Sequence, residues 1–240
     1  MITITDIHKR FDDQEVLHGI SATFETGKTN LIIGRSGSGK TVLLRCIVGL
    51  LAPTTGRVSY DGRDIHRLTK HKGALLRQEM GMLFQGSALF DSMDVLHNVL
   101  FPLEMFSSKT YNECLQRARF CLDRVGLTGA EKKMPSEISG GMQKRVAIAR
   151  AIALEPRYLF CDEPNSGLDP ITSRLIDSLI SDITHEYGIT TIVNTHDMGS
   201  VRGIGEQVLF IHEGRAEWTG TGATIDQTES IHLREFLDHA

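Results

Sequence analysis

The sequence predicts an α/β fold: a core of parallel strands covered by helices, with an antiparallel β flap beside it and a helical subdomain inserted into it. Three observations carry that reading. Short apolar runs such as Asn30-Leu31-Ile32-Ile33 and Tyr158-Leu159-Phe160-Cys161 end in glycine-rich or acidic turns, the edge at which open parallel sheets bind ligands. Residues 86–156 show helical patterning, whereas 1–85 and 157–240 alternate β-like and helical runs. Finally, Gly34-Arg35-Ser36-Gly37-Ser38-Gly39-Lys40-Thr41 joins an apolar strand to an amphipathic helix.

In chain order, Ile2–Ile4, Val16–Phe24 and Arg57–Tyr60 read as flap strands, the last followed by the tight-turn pair Asp61-Gly62. Asn30–Ile33 reads as a buried strand, Thr41–Leu50 as a helix and Met80–Phe84 as a further strand. The helical block follows as Asp94–Phe101, Tyr111–Val125 and Gly140–Leu154. Strand Tyr158–Asp162 then leads to helix Ile171–Tyr187, whose Ile171, Leu175, Ile176, Leu179, Ile180 and Ile183 form one apolar face. Strands Thr190–Asn194 and Gln207–His212 and a helix around Ser230–His239 complete a single domain spanning 1–240.

Composition excludes several classes. With 26 basic and 30 acidic residues the net charge is -4 and no dense basic stretch exists, which argues against nucleic acid as a partner. Cys46, Cys114, Cys121 and Cys161 fall in helices or a core strand without C-x-x-C spacing, as expected of buried thiols in a reducing compartment. The ten histidines include no H-x-x-x-H pair backed by cysteines, so no structural zinc site is expected. The start Met1-Ile2-Thr3-Ile4 lacks signal-peptide character, and the longest apolar stretch, 42–52, is interrupted by Arg45 and too short to span a bilayer.

The chemistry gathers at a few positions. In the pattern G-x-x-x-x-G-K-[ST], glycines let successive backbone N–H groups turn inward on phosphate oxygens. Lys40 reaches the terminal phosphates and Thr41 offers a hydroxyl to Mg²⁺, at the positive start of a helix. Asp162 and Glu163 end an apolar strand; adjacent strand residues point differently, so Asp162 can serve the Mg²⁺ shell while Glu163 activates a water. His196 follows the strand at 190–195 and can meet the terminal phosphate, and Gln85 can ligate Mg²⁺ or water after the strand at 80. Ser139-Gly140-Gly141 opens a long helix and makes a second anion site. Two phosphate sites for one nucleotide are reconciled by a head-to-tail dimer in which each ATP lies between one copy's loop and the other's helix start.

With these parts in this order the chain resembles, over essentially its whole length, the nucleotide-binding subunit of an ATP-binding cassette (ABC) transporter. The resemblance implies a P-loop, RecA-like core with the ABC ATPase fold, and ATP and Mg²⁺ as cofactors. It assigns Phe11 to adenine stacking, Gly34 to Thr41 to Walker A, Gln85 to the Q-loop and Ile138 to Met142 to the signature. Asp162 and Glu163 match Walker B and the catalytic glutamate, Ser166 to Asp169 the D-loop, and His196 the switch histidine. It further implies that Ser139, Gly140, Gly141 and Asp169 contact ATP held by the other copy. The signature departs from the common form by carrying Met142 in place of glutamine, with Gln143 one position later. Met142-Gln143-Lys144-Arg145, Leu83 to Phe90 and Met134 to Glu137 are similar to the ATPases of Mla-type and Mce-linked lipid transporters, the MlaF/Mkl group.

That group implies lipid or phospholipid transport, integral permease subunits docked near Leu89, Phe90, Val95, Leu96, Val99, Leu100 and Phe101, and an MCE-type lipid-binding subunit. It implies a peripheral place on the cytoplasmic face of the inner (plasma) membrane. The alternatives are an ABC ATPase importing or exporting another solute, and a soluble ABC ATPase of DNA repair or translation. The latter class commonly carries a coiled-coil insertion or two cassettes in one chain, which this sequence lacks.

Overall fold

In the computed structural model, which describes residues 1–238, the strands form two sheets, a four-stranded antiparallel flap and a six-stranded, mostly parallel core sheet. The flap opens the chain: β1 (Ile2–Phe11) and β2 (Gln14–Phe24) form a hairpin, and β4 (Thr55–Tyr60) pairs antiparallel with β1 and carries the two-residue β5 (Arg63–Asp64) at the edge. Between hairpin and β4 run β3 (Thr29–Ile33) and α1 (Lys40–Ile47).

The second sheet has the order β10-β9-β3-β8-β7-β6, built from β6 (Met80–Leu83), β7 (Tyr158–Asp162), β8 (Thr190–Thr195), β9 (Gln207–His212) and β10 (Arg215–Gly220). Only β10 runs antiparallel. The chain swings from β3 on one side to β7 on the other side of β8, so the carboxyl ends of β3, β7 and β8 share one edge.

The strands are buried on both faces, and strict alternation divides their side chains. Leu31, Ile33, Leu159, Cys161, Val193, Val208 and Phe210 face the helical side, whereas Ile32, Tyr158, Phe160, Ile192, Leu209 and Ile211 face α1 and the flap. All four cysteines are buried free thiols, and burial pushes Cys161 well up from its ordinary value. On the flap side Tyr60 is fully buried, donates its hydroxyl to the Ile47 carbonyl at 2.7 Å and meets Tyr158 edge-on, ring centroids 4.9 Å apart. Tyr60→Phe should therefore cost about 1 kcal/mol in urea unfolding, because it strands a buried acceptor while keeping the ring.

The inserted helices are α3 (Val95–Phe106), α4 (Tyr111–Arg124) and α5 (Gly140–Ile152), which pack on one another. Helix α3 runs five residues past the sequence expectation, through Pro102, because Leu103 in its last turn is still buried in the core. Besides the two-residue β5, the sequence reading missed α2 (Lys70–Gln78), α7 (Met198–Ile204) and β10. The first two are short or polar, and β10 is mostly exposed. Helix α6 (Pro170–Tyr187) buries Ile176, Ile180 and Ile183 as expected, but Ile171 and Leu175 are 66% and 63% exposed. Its first turns project past the sheet toward the start of α5, so the apolar face is longer than the surface it covers. Helix α8 (Ile231–Asp238) closes the described chain; the expected end at His239 lies outside the described residues.

Candidate functional site

The loop after β3 turns through positive φ at Gly34, Gly37 and Gly39. At Gly34 (φ 151°) any Cβ would collide with the Ile211 carbonyl oxygen, so the turn is closed to other residues. A Cβ on Gly37 (φ 80°) would meet nothing within 4 Å, so that glycine is needed for its backbone conformation rather than for space. Lys40 begins α1 and folds back over the loop, its Nζ donating to the carbonyls of Gly34 (2.8 Å) and Arg35 (3.1 Å). Burial pushes its ammonium below the ordinary lysine range, opposed by the charges of Glu163 and Asp162.

Arg35, Ser36, Gly37, Gly39, Lys40 and Thr41 line a cleft of about 570 Å³ together with Gln85, Glu163 and His196. Two observations fit a polyphosphate here. The buried Ser38 Oγ has no hydrogen-bond partner among the described residues, and the loop carries a buried cation, Lys40, folded over it. The donor set for Mg²⁺ fits as well. Asn194 Nδ2 donates to Asp162 Oδ1 at 2.8 Å and lies 3.4 Å from Thr41 Oγ1, bringing an acid, a hydroxyl and an amide to one point. Its own Oδ1 is buried and unpartnered.

Glu163 follows β7 with φ 49°, the left-handed region that costs an ordinary residue about 1–2 kcal/mol. The turn is held by its N–H donating to the Asn194 carbonyl at 2.8 Å. Its carboxylate meets His196 Nδ1 at 2.9–3.0 Å. Gln85 Nε2 donates to Ser166 Oγ at 3.4 Å. Phe11 stands apart: it is 42% exposed at the end of β1, under the Lys9 ammonium, and does not line the cleft, where Val16 of β2 is the flap residue instead.

Ser139, Gly140, Gly141 and Asp169 line a different cleft, with Met142, Arg145, Leu168 and Thr172, and the two linings share no residue. Ser139 caps α5 by accepting from the Met142 N–H at 3.3 Å. Asp169 caps α6 through the N–H groups of Ile171 and Thr172 and holds the Thr172 hydroxyl at 2.6 Å. A Cβ at Gly141 would lie 2.6 Å from the Thr172 methyl, so the start of α5 needs glycine to sit against α6. Within one chain, loop and helix start remain separate sites.

Sequence reading missed four further residues. Asn194 stands among threonines and β-branched apolar residues in β8, so nothing in the strand's pattern singles it out. Lys144 and Arg150 of α5 grip the Gln85 segment: Lys144 donates to the Gln85 carbonyl and Arg150 to the Ser87 and Ala88 carbonyls at 2.8 and 2.7 Å. Phe236 of α8 also lines the phosphate-loop cleft. Of the segment expected to receive a permease, Val95, Val99 and Leu100 are buried in the core, and Phe90, which rests on Phe101 at 4.8 Å, stays 39% exposed.

A parallel-sheet edge carrying a glycine loop, a buried lysine and a Glu–His pair defines a phosphate-loop ATPase, and the helix start at Ser139 lines a separate cleft. Residues 17–166 match the family model for ABC transporters, and the chain belongs to that family as an ATP-binding, ATP-hydrolysing subunit. It is 37% identical over 238 residues to the intermembrane phospholipid transport system ATP-binding protein MlaF of Escherichia coli K12, covering 99% of this chain and 88% of that protein. It is 41% identical over 215 residues to the methionine import ATP-binding protein MetN of Rhizobium johnstonii, covering 90% of this chain and 59% of that protein. Among solved structures, the dimeric post-hydrolysis state of the ATP-binding cassette MJ0796 bound to ADP and Pi superposes with a TM-score of 0.83 at 30% identity, covering 92% and 98% of the two chains.

Proposed function

We propose that two copies of this chain bind two ATP molecules at their shared face and hydrolyse them to move phospholipid or a related lipid between membranes through a partner permease. In this reading the phosphate loop and Lys40 hold the β- and γ-phosphates, and Ser139, Gly140, Gly141 and Asp169 of the other copy complete the site. Thr41, Asp162 and Gln85 would hold Mg²⁺, which supplies neutralisation of phosphate charge. The Glu163 carboxylate takes a proton from water as its oxygen attacks the γ-phosphorus in line and ADP departs; His196 steadies the γ-phosphate oxygens.

The observation that carries the lipid assignment is similarity to MlaF along 99% of the chain. The exposed rings of Phe84 and Phe90, beside the Gln85 segment that α5 grips, form the surface that would take a coupling helix of the permease. The chain would then sit peripherally on the cytoplasmic face of the inner membrane. One observation favours a second reading, import of a small solute: the 41% identity to MetN.

Purification from detergent-solubilised membranes, followed by mass spectrometry of proteins and lipids, tests both. A multi-span permease, an MCE-type lipid-binding subunit and bound phospholipid are expected. A permease without lipid, whose ATPase responds to a small solute, would transfer the assignment to the second reading. Recovery with ribosomes or DNA alone would overturn both.

A further inference from the structure

We propose that His212, Glu217 and His232 form a binding site for a divalent transition-metal ion, Zn²⁺ by its donor set, that fastens the C-terminal helix beside the phosphate loop. The three come from different elements: His212 ends β9, Glu217 lies in β10 and His232 is in the first turn of α8. One ligand atom from each lies within 4.8 Å of the others. The two imidazoles stack at 4.1 Å with 8° between their planes. Glu217 Oε2 lies 2.8 Å from His232 Nδ1, and its Oε1 accepts from Ser230 Oγ at 2.5 Å.

Two imidazoles and one carboxylate are a donor set that zinc takes, with a fourth position left for water. Bonds of about 2.0–2.2 Å put ligand atoms within about 4 Å of each other, so the set closes by roughly 1 Å and the parallel rings tilt until their in-plane lone pairs converge, a movement the broad χ2 torsion of histidine allows. His212 and Glu217 are about one-quarter exposed and His232 half exposed, so an ion can enter from solvent. A divalent ion binds both imidazoles as neutral ligands.

The consequence reaches the ATP cleft. Phe210 and Phe236 pack with ring centroids 5.5 Å apart under the same helix, Phe236 lines the phosphate-loop cleft, and Arg35 Nη2 lies 3.5 Å from the Glu235 carbonyl. An ion at His232 therefore pins the helix that forms one wall of the nucleotide site. Sequence spacing could not reveal this, because the fold rather than a motif gathers residues 212, 217 and 232.

The test uses the full chain, stripped with chelator and returned to excess Mg²⁺ without nucleotide. Co²⁺ is titrated while ligand-field absorption is followed, and Zn²⁺ is then titrated calorimetrically. One ion per chain is expected, displaced competitively by Zn²⁺, with Zn²⁺ raising the melting temperature. His212→Ala, Glu217→Gln and His232→Ala should each weaken binding by more than the ~10–100-fold that a merely supporting group costs. His232→Asn, which keeps a polar partner for Glu217, guards against simple loss of the helix and should lose the ion as completely. His185→Ala, a histidine paired with Glu206 elsewhere, should bind as the unaltered chain does. Unchanged Zn²⁺ binding in the His212 and His232 variants, or equal loss in the His185 variant, would overturn the site. With no nucleotide present, the result is independent of ATP hydrolysis.

Discussion

Replacing Glu163 by glutamine should leave ATP binding intact while lowering turnover by ~10²–10⁴-fold, the range lost with a positioned general base. The substitution keeps size and hydrogen bonding, so His196 retains an acceptor at the position its Nδ1 now meets at 2.9–3.0 Å. What disappears is the carboxylate that accepts the water's proton. With closure still driven by ATP and reopening blocked, the variant should run as a dimer in gel filtration with ATP and as a monomer without it. Phosphate release at near-normal rate would remove Glu163 from its role.

Lys40→Ala should have the opposite signature, failing at binding rather than at chemistry. The ammonium is only 7% exposed and is satisfied by two carbonyls until a phosphate arrives. A charge-assisted bond to phosphate contributes about 1.5–3 kcal/mol, so affinity should drop roughly 10–150-fold, read by titration with a fluorescent ATP analogue. The fold should not suffer: the variant removes a desolvated charge whose protonation burial already disfavours, so its melting temperature should be unchanged or slightly higher. Tight ATP binding by this variant would exclude Lys40 from the phosphates.

Much of this arrangement is legible in sequence because its physics is local. The loop at 34–41 needs glycines at particular backbone angles, strands buried on both faces read as apolar runs, and Ser139 and Asp169 announce their helices as caps. Residues that depend on distant partners are not legible. Asn194 acquires meaning only when β8 lies in register with β7 and sets it opposite Asp162. Lys144 reads as one more polar position on α5 until the fold buries it against the carbonyl of Gln85. Ile171 and Leu175 show the converse, an apolar pattern with nothing of this chain to cover its end.

The left-handed backbone at Glu163 has an evolutionary reading. A search for the most stable sequence on this backbone would install glycine there, relieving the torsion and yielding a better-folded protein with no base. Replacements such as glutamine or alanine inherit the same torsional load, so differences between them report chemistry rather than backbone relief. At this one position, foldability and turnover select different amino acids.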